Sequence, residues 1–145
     1  MLSPLSLITV AAQFLFTILI IVTGPIILTH KFLLGVQLMA IFTGLWAIWT
    51  IRFGNFNIAP EVAKNARLVI SGPYRYIRHP MYTTLLVFTL PMVLGHPTYL
   101  RILYWVALLV TLIVKLNYEE KLLSRHFPEY SQYQQQTKRL IPFVF

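Results

Sequence analysis

Residues 71–82, with the sequence SGPYRYIRHPMY, contain the densest group of polar side chains that could do chemistry. A Gly-Pro turn precedes the basic residues, and Pro80 suits the first position of a helix, where a missing backbone N–H costs nothing. His79 is then expected at the helix cap, with Arg75, Arg78 and the free N–H groups of the first helical turn beside it. These groups could hold the carboxylate of a ligand, or the arginines could simply contact lipid phosphates.

Two adjacent carboxylates, Glu119 and Glu120, form the second candidate group, at the end of a long apolar run. Neighbouring residues project about 100° apart on a helix, so both carboxylates cannot face bulk water if the helix packs against others. Acidic residues near a membrane span are costly and usually paired. They could bind an ammonium group or the hydroxyls of a ribose, or they could neutralise Arg75 or Arg78 within the fold.

Together, the two groups offer anion-binding residues on one wall of a site and carboxylates on another. The zwitterionic amino acid and the nucleoside of S-adenosylmethionine fit that pattern. The faces of Tyr74, Tyr82 and Tyr118 could attract its sulfonium, although tyrosines at a membrane interface are often simple belt residues.

The sequence carries no pattern for a metal site or a Rossmann-type cofactor site. Cysteine is absent, which excludes disulfides, thiolate ligands and cysteine nucleophiles. His30, His96 and His126 are dispersed, and none has another histidine three or four residues away. There is also no GxGxxG loop. We therefore expect neither a bound metal nor a soluble-type dinucleotide fold.

The composition indicates a membrane protein. Hydrophobic residues make up 57% of the 145 residues and charged residues 11%, whereas roughly a quarter of a soluble domain is charged. We expect an all-α, polytopic membrane protein that forms one domain over residues 1–145. The net charge of +8 would also suit nucleic acid, but the cations flank apolar runs, so membrane lipids are the expected partners.

Four apolar stretches are long enough, or nearly so, to cross a hydrocarbon core as helices. We place these spans at about residues 5–28, 32–51, 77–95 and 99–116. The link between the first two is so short that they are expected to form a helical hairpin. Residues 52–79 and 117–145 are expected to remain outside the bilayer and to cover the cofactor, and the second of these segments is expected to contain a cytoplasmic or interfacial helix interrupted at Pro128.

The cations give the orientation of these spans. Ten of the 12 Lys and Arg residues lie in residues 52–79 or at and beyond the end of the fourth span. Lys31 and Arg101 lie on the opposite side. Positive charge is enriched on the cytoplasmic side of membrane proteins, so we expect both termini to be cytoplasmic.

At the two polar groups, the sequence resembles the isoprenylcysteine carboxyl methyltransferase family and its phospholipid methyltransferase relatives. The matching stretches are NFNIAP from Asn55, RLVISGPYRYIRHPMY from Arg67, YEEKLL from Tyr118 and FPEYSQYQQQTKRLIPF from Phe127. They follow one another in the family's order and spacing over roughly the last ninety residues.

The resemblance implies an enzyme that transfers a methyl group from S-adenosylmethionine to a lipophilic carboxylate, thiol or amine at the cytoplasmic face, leaving S-adenosylhomocysteine. In the family, a basic residue that corresponds to Lys115 approaches the acceptor. Lys115 is therefore a candidate catalytic residue, and Arg78, in the matched RHPMY stretch, is the other. The candidate cofactor-binding residues are Ala66, Arg67, Leu68, Val69, Tyr74, His79, Pro80, Met81, Tyr82, Glu119 and Glu120.

Several departures from the family pattern leave the acceptor open. Lys115 replaces an arginine of the eukaryotic enzymes, and it cannot make the planar two-bond grip of a guanidinium on a carboxylate. Thr84 stands where many members have glycine, and the extra N-terminal spans of the eukaryotic enzymes are missing. Two other hypotheses remain: a membrane reductase that uses NADPH, and a small membrane protein without enzymatic activity.

The expected topology can be tested with single cysteines, because the native chain has none. A cysteine introduced into residues 117–145 should react with a membrane-impermeant thiol reagent only after the cytoplasmic side is exposed. A cysteine in the link between the first two spans should react from the outside of intact cells. Labelling of the C-terminal segment in intact cells would overturn the orientation.

Overall fold

The structure is a computed structural model that describes residues 3–51, 59–61, 67–142 and 144–145. The described part is helical throughout, apart from turns and one isolated bridge between residues 77 and 138. Its helices are α1 (Pro4–Val22), α2 (Lys31–Ile51), α3 (Pro80–Gly95), α4 (Tyr99–His126) and α5 (Tyr130–Gln136), with a 3₁₀ turn at Gly72–Arg75. Arg52 and Lys64, two of the cations used to predict the orientation, lie outside the described residues.

The helices confirm the predicted all-α, polytopic membrane architecture. In the described part, α1, α2 and α4 are long and apolar enough to cross a membrane. α3 is apolar but has only 16 residues, about 24 Å of helix against a hydrocarbon core of about 30 Å. The outward faces carry large exposed apolar side chains such as Ile8, Phe42 and Trp49, which lipid would cover.

Local signals explain where most helices begin and end. Ser3 caps α1 by accepting a hydrogen bond from the Ser6 N–H at 3.1 Å, and Thr98 caps α4 in the same way. α1 ends at Val22, earlier than the predicted residue 28, because Pro25 follows and disfavours helix just before it.

α4 continues ten residues beyond the predicted residue 116, to His126, since no helix breaker precedes Pro128. The expected C-terminal helix is therefore partly an extension of the fourth span, with α5 as a separate element after the interruption.

The helices pack as two pairs rather than in sequence order. α1 packs along α4 and α2 along α3, while α3 also contacts α4 and α1. α1 and α2 hardly touch, and residues 23–30 separate them, so the expected helical hairpin with a very short link between the first two spans is wrong. The core lies between α1, α3 and α4, where Ile20, Met92, Leu108 and Leu112 are fully buried. This pairing leaves a gap between α1 and α2.

Arg101 joins α4 to the end of α1 on the side opposite the C-terminal helix. Its side chain is 1% exposed, and Nη2 donates to the Ile20 carbonyl at 3.3 Å. The carbonyl end of a helix attracts a cation, so this contact links the start of α4 to the end of α1. Gly24 makes room for it, because a Cβ at that position would overlap Arg101 Nη1.

Gly44 on α2 lies directly against Thr84 on α3. A Cβ on Gly44 would lie 2.7 Å from Thr84 Cγ2, so the glycine on α2 accommodates the larger residue on α3. The space for the Thr84 side chain on α3 is therefore provided by a glycine on α2. Comparing position 84 alone with the family does not show this compensation.

We expect Gly44→Ala to destabilise the protein by about 1–3 kcal/mol, the usual cost of overpacking a tight contact. Thr84 is stiff because it is branched at Cβ, so its methyl group cannot easily turn away. The matched control is Gly35→Ala in the same helix, where nothing lies within 4 Å of the added carbon. Thermal unfolding in one detergent measures both variants.

The companion variant Gly44→Ala/Thr84→Ala should recover most of the lost stability, because it removes the methyl group that clashes. A Gly44→Ala protein as stable as the Gly35→Ala protein would show that this contact is not tight.

Candidate functional site

The C-terminal tail, residues 137–142, holds the segment that precedes α3. The backbone N–H groups of Arg78 and His79 donate to the carbonyls of Lys138 and Arg139, at 2.7 and 3.0 Å. Thr83 Oγ1 donates to the Leu140 carbonyl at 2.7 Å. His79 is the N-cap of α3, as predicted. The tail carbonyls occupy the N–H groups of residues 78 and 79, which precede the helix, and in its first turn the N–H groups of Tyr82 and Thr83 donate to the His79 carbonyl, at 3.1 Å each.

The guanidinium of Arg78 ties the same segment to α4 and α5. Its Nε bonds to Glu120 Oε1 at 2.7 Å, and Nη1 donates to the carbonyls of Gln134 and Thr137. Those carbonyls lie at the end of α5, where a helix attracts a cation. Arg78 therefore fixes three elements relative to one another.

Glu120 is the shared partner of several basic residues. Besides Arg78, Arg139 Nε lies 3.2 Å from Oε2 and His79 Nε2 lies 3.3 Å from Oε1. Only 5% of the Glu120 side chain is exposed. One interpretation of the sequence is that the glutamates neutralise Arg75 or Arg78 within the fold. The structure shows this for Glu120 and Arg78, whereas Arg75 is exposed.

Glu119 turns to a different side of α4, where it contacts Tyr82 and shares His79 with Glu120. Tyr82 donates to Glu119 Oε2 at 2.6 Å, and His79 Nδ1 lies 3.7 Å from the same oxygen. The rings of His79 and Tyr82 are stacked, with centroids 5.2 Å apart and planes 1° from parallel. The Glu119 side chain is 26% exposed, so it is accessible where Glu120 is not.

Lys115 lies one helical turn before Glu119 and is almost fully buried. Its Nζ donates to Gln13 Oε1 on α1 at 2.7 Å and lies 5.2 Å from the centre of the Tyr82 ring. An aromatic face and an amide oxygen both favour an ammonium group.

Several of the side chains described above line one cavity of about 490 Å³. Its polar end contains Tyr74, His79, Tyr82, Lys115 and Glu119, and its apolar part extends between the spans. The apolar part is lined by Phe14 on α1, by Ile41, Gly44, Ile48 and Ile51 on α2, and by Leu85 and Phe88 on α3. The cavity therefore joins a charged region to a hydrocarbon-like region.

Tyr74 is held in the wall by a group of aromatic residues behind it. Tyr133 donates its hydroxyl hydrogen to the Tyr74 carbonyl, and Tyr133 itself packs with Phe127 and Tyr130. Burial, with a smaller effect of the Glu119 charge, raises the pKa of Tyr74 above its ordinary value. Its hydroxyl stays protonated and can donate a hydrogen bond.

The structure brings most of the sequence-predicted residues together. Eight of them line the cavity: Tyr74, Arg78, His79, Pro80, Met81, Tyr82, Lys115 and Glu119. The others that the structure describes, Arg67, Leu68, Val69 and Glu120, are not among its lining residues, and neither is Tyr118. Leu68 instead packs on the Phe127 group. Ala66 and residues 55–58 of the NFNIAP stretch lie outside the described residues.

Sequence reasoning missed the contribution of α1 and α2 to this cavity. Gln13 is polar and lies in the middle of an apolar span, which is a known signal of function in membrane helices. The α2 residues are ordinary apolar side chains and carried no such signal. Within the described ranges, no group of three or more His, Asp or Glu side chains could hold a metal ion.

The sequence matches the family model of phospholipid methyltransferases over residues 28–130. This range covers well over half of the chain and includes α2, α3, α4 and every site residue predicted from the sequence. α1 lies outside it. No curated protein matches the chain.

Glu120→Gln should lower the melting temperature more than Glu119→Gln. The first change breaks a buried ion-pair group and removes a partner of the tail, which typically costs about 3–5 kcal/mol. The second changes a more exposed carboxylate with one tyrosine donor, at a cost nearer 1 kcal/mol. Thermal unfolding of the two neighbouring variants in one detergent gives the comparison. Equal melting temperatures would contradict the different environments of the two glutamates.

Proposed function

The chain belongs to the phospholipid methyltransferase family, and on that premise we propose that it transfers the methyl group of S-adenosylmethionine to a lipophilic acceptor at the cytoplasmic face of the membrane. Membership makes it a membrane methyltransferase. The observation that carries the finer proposal is the cavity, which joins the charged residues around Glu119 to an apolar region between the spans.

The polar end of the cavity fits the charged groups of S-adenosylmethionine. A carboxylate accepts about four hydrogen bonds, and Tyr82 supplies one of those of Glu119. The remaining capacity suits the amino group or the ribose hydroxyls. The protonated hydroxyl of Tyr74 can donate to the carboxylate of the same molecule, whereas both ring nitrogens of His79 face glutamate oxygens and position that wall of the cavity. Bound there, S-adenosylmethionine supplies an electrophilic methyl group.

The apolar part of the cavity suits the acceptor. Phe14 on α1 and Ile41 and Ile48 on α2 line it and are exposed apolar side chains. Since α1 and α2 hardly touch, the gap between them gives a lateral route from the bilayer. A hydrophobic acceptor would use this route because its chain stays in hydrocarbon throughout.

The protein's contribution to methyl transfer is mainly positioning. The methyl group and the attacking atom must be aligned at about 3 Å, which ordered walls favour. Lys115 lies between the polar and apolar regions and is proposed to contact the acceptor. Arg78 is proposed as a positioning residue, because its guanidinium is bonded to Glu120 and to the end of α5.

The attacking group of the acceptor can be a carboxylate, a thiolate or an amine. A carboxylate, as in the isoprenylcysteine carboxyl methyltransferases, or a thiolate attacks without a general base, whereas an amine must first lose a proton. Family membership favours a methyltransferase over the NADPH-dependent reductase and over a protein without enzymatic activity.

Titration with S-adenosylhomocysteine tests this proposal. The protein in lipid nanodiscs should bind it, and Glu119→Gln should weaken binding about tenfold to hundredfold, the effect of losing one charge-assisted hydrogen bond. Glu129→Gln is the matched control, because Glu129 is an exposed carboxylate outside the cavity. Lys115→Met should leave this affinity near normal and lower methyl transfer. Binding of NADPH without binding of S-adenosylhomocysteine would refute the proposal.

A further inference from the structure

Gln13 lies in the cavity wall although no motif and no family match includes it. It is half-buried in the middle of α1, before the matched residues 28–130. Its amide oxygen accepts a hydrogen bond from Lys115 Nζ at 2.7 Å. A polar pair between two membrane helices is costly to bury and is usually kept for a function.

Lys115 has a second possible partner that it does not use. Glu119 follows it by four residues, and residues at this spacing are neighbours on a helix surface that commonly form an ion pair. Within the part of the chain that the structure describes, no carboxylate oxygen lies within 4 Å of Lys115 Nζ. The ammonium instead bonds to Gln13 and lies over the Tyr82 ring.

Tyr82 separates the two opposite charges. Its hydroxyl donates to Glu119, and its ring face is turned toward the Lys115 ammonium. Gln13 completes this arrangement, because it holds the flexible lysine side chain on the α1 side of the cavity. Without that acceptor, Lys115 would be free to turn toward Glu119, and the two charges would neutralise each other.

We propose that Gln13 is a specificity-determining residue, which keeps the Lys115 ammonium apart from Glu119 and available to an anionic group on the lipophilic acceptor. The inference rests on the proposed function, which it deepens. Glu119 remains free for the cationic part of the methyl donor, and Lys115 receives a phosphate or carboxylate of the acceptor. An acceptor with only a cationic head group is repelled, since charges interact strongly in an apolar cavity.

The test uses amphiphiles with one chain length and different head groups. Hexadecyl phosphate, palmitate and hexadecyltrimethylammonium are titrated into the full chain in nanodiscs of zwitterionic lipid, with S-adenosylhomocysteine affinity measured in parallel. The wild-type protein should bind at least one of the two anions about tenfold tighter than the cation, the effect of one charge-assisted contact. The anion that binds tighter identifies the phosphate or the carboxylate as the preferred group. Equal binding of anions and cation would overturn the proposal.

Three variants then separate the role of Gln13 from simple packing. Gln13→Glu should abolish the preference for anions, because the new carboxylate neutralises Lys115, but it should leave S-adenosylhomocysteine affinity unchanged. Gln13→Leu should weaken both ligands about tenfold, because Lys115 then pairs with Glu119. Gln13→Leu/Lys115→Met should recover S-adenosylhomocysteine affinity but not anion binding. Thr9→Val, one turn before Gln13 on α1 and outside the cavity lining, is the control and should change neither affinity, because the Thr9 hydroxyl donates to the Leu5 and Ser6 carbonyls.

Recovery in the double variant is the decisive result, since a packing defect at residue 13 would not be repaired by a second change. If the effects of Gln13→Leu and Lys115→Met simply add, Gln13 does not act through Lys115 and the proposal is wrong. If S-adenosylhomocysteine does not bind even the wild-type protein, the methyltransferase proposal fails, whereas the head-group preference and its loss in Gln13→Glu still decide the role of Gln13.

Discussion

The buried carboxylate of Glu120 is the interaction on which the candidate site depends. It joins α4 to the segment before α3 through Arg78 and to the C-terminal tail through Arg139. A buried carboxylate is costly unless its partners are all present, so these three parts of the chain must assemble together. Their assembly fixes His79 at the cap of α3 and, one turn later, Tyr82 in the wall of the cavity.

The two neighbouring glutamates can serve different purposes because a helix turns by about 100° per residue. That rotation directs Glu120 toward the basic residues of the tail and Glu119 toward the cavity. The Glu120 carboxylate is bonded to basic residues of the fold, whereas the Glu119 carboxylate accepts from Tyr82 and keeps acceptor capacity for the proposed ligand. Tyr82 connects the second carboxylate with Lys115, so the charged groups of the cavity form one arrangement across three helices.

The shape of the cavity follows from which helices pack closely. Gly44 lets α2 approach Thr84 on α3, and Arg101 holds the end of α1 against α4. Two closely packed pairs leave a cavity with α1 residues on one wall and α2 residues on another. The polar end of that cavity lies beside the start of α3 and the part of α4 near Lys115 and Glu119, which is where the proposed methyl donor and acceptor would meet.

The sequence by itself determined the helical class, the approximate spans, the capping position of His79 and most residues of the polar wall, because run length, proline positions and local motifs are properties of short segments. The predicted ends of α1 and α4 were wrong, because proline residues and not changes in polarity set them. Pro25 ends α1 early, and α4 continues to His126, shortly before Pro128. Only the tertiary structure decided that Glu119 and not Glu120 faces the cavity and that Gln13 holds Lys115. Those outcomes depend on contacts between residues far apart in the chain, and no local pattern encodes which of several possible partners a charged side chain will meet.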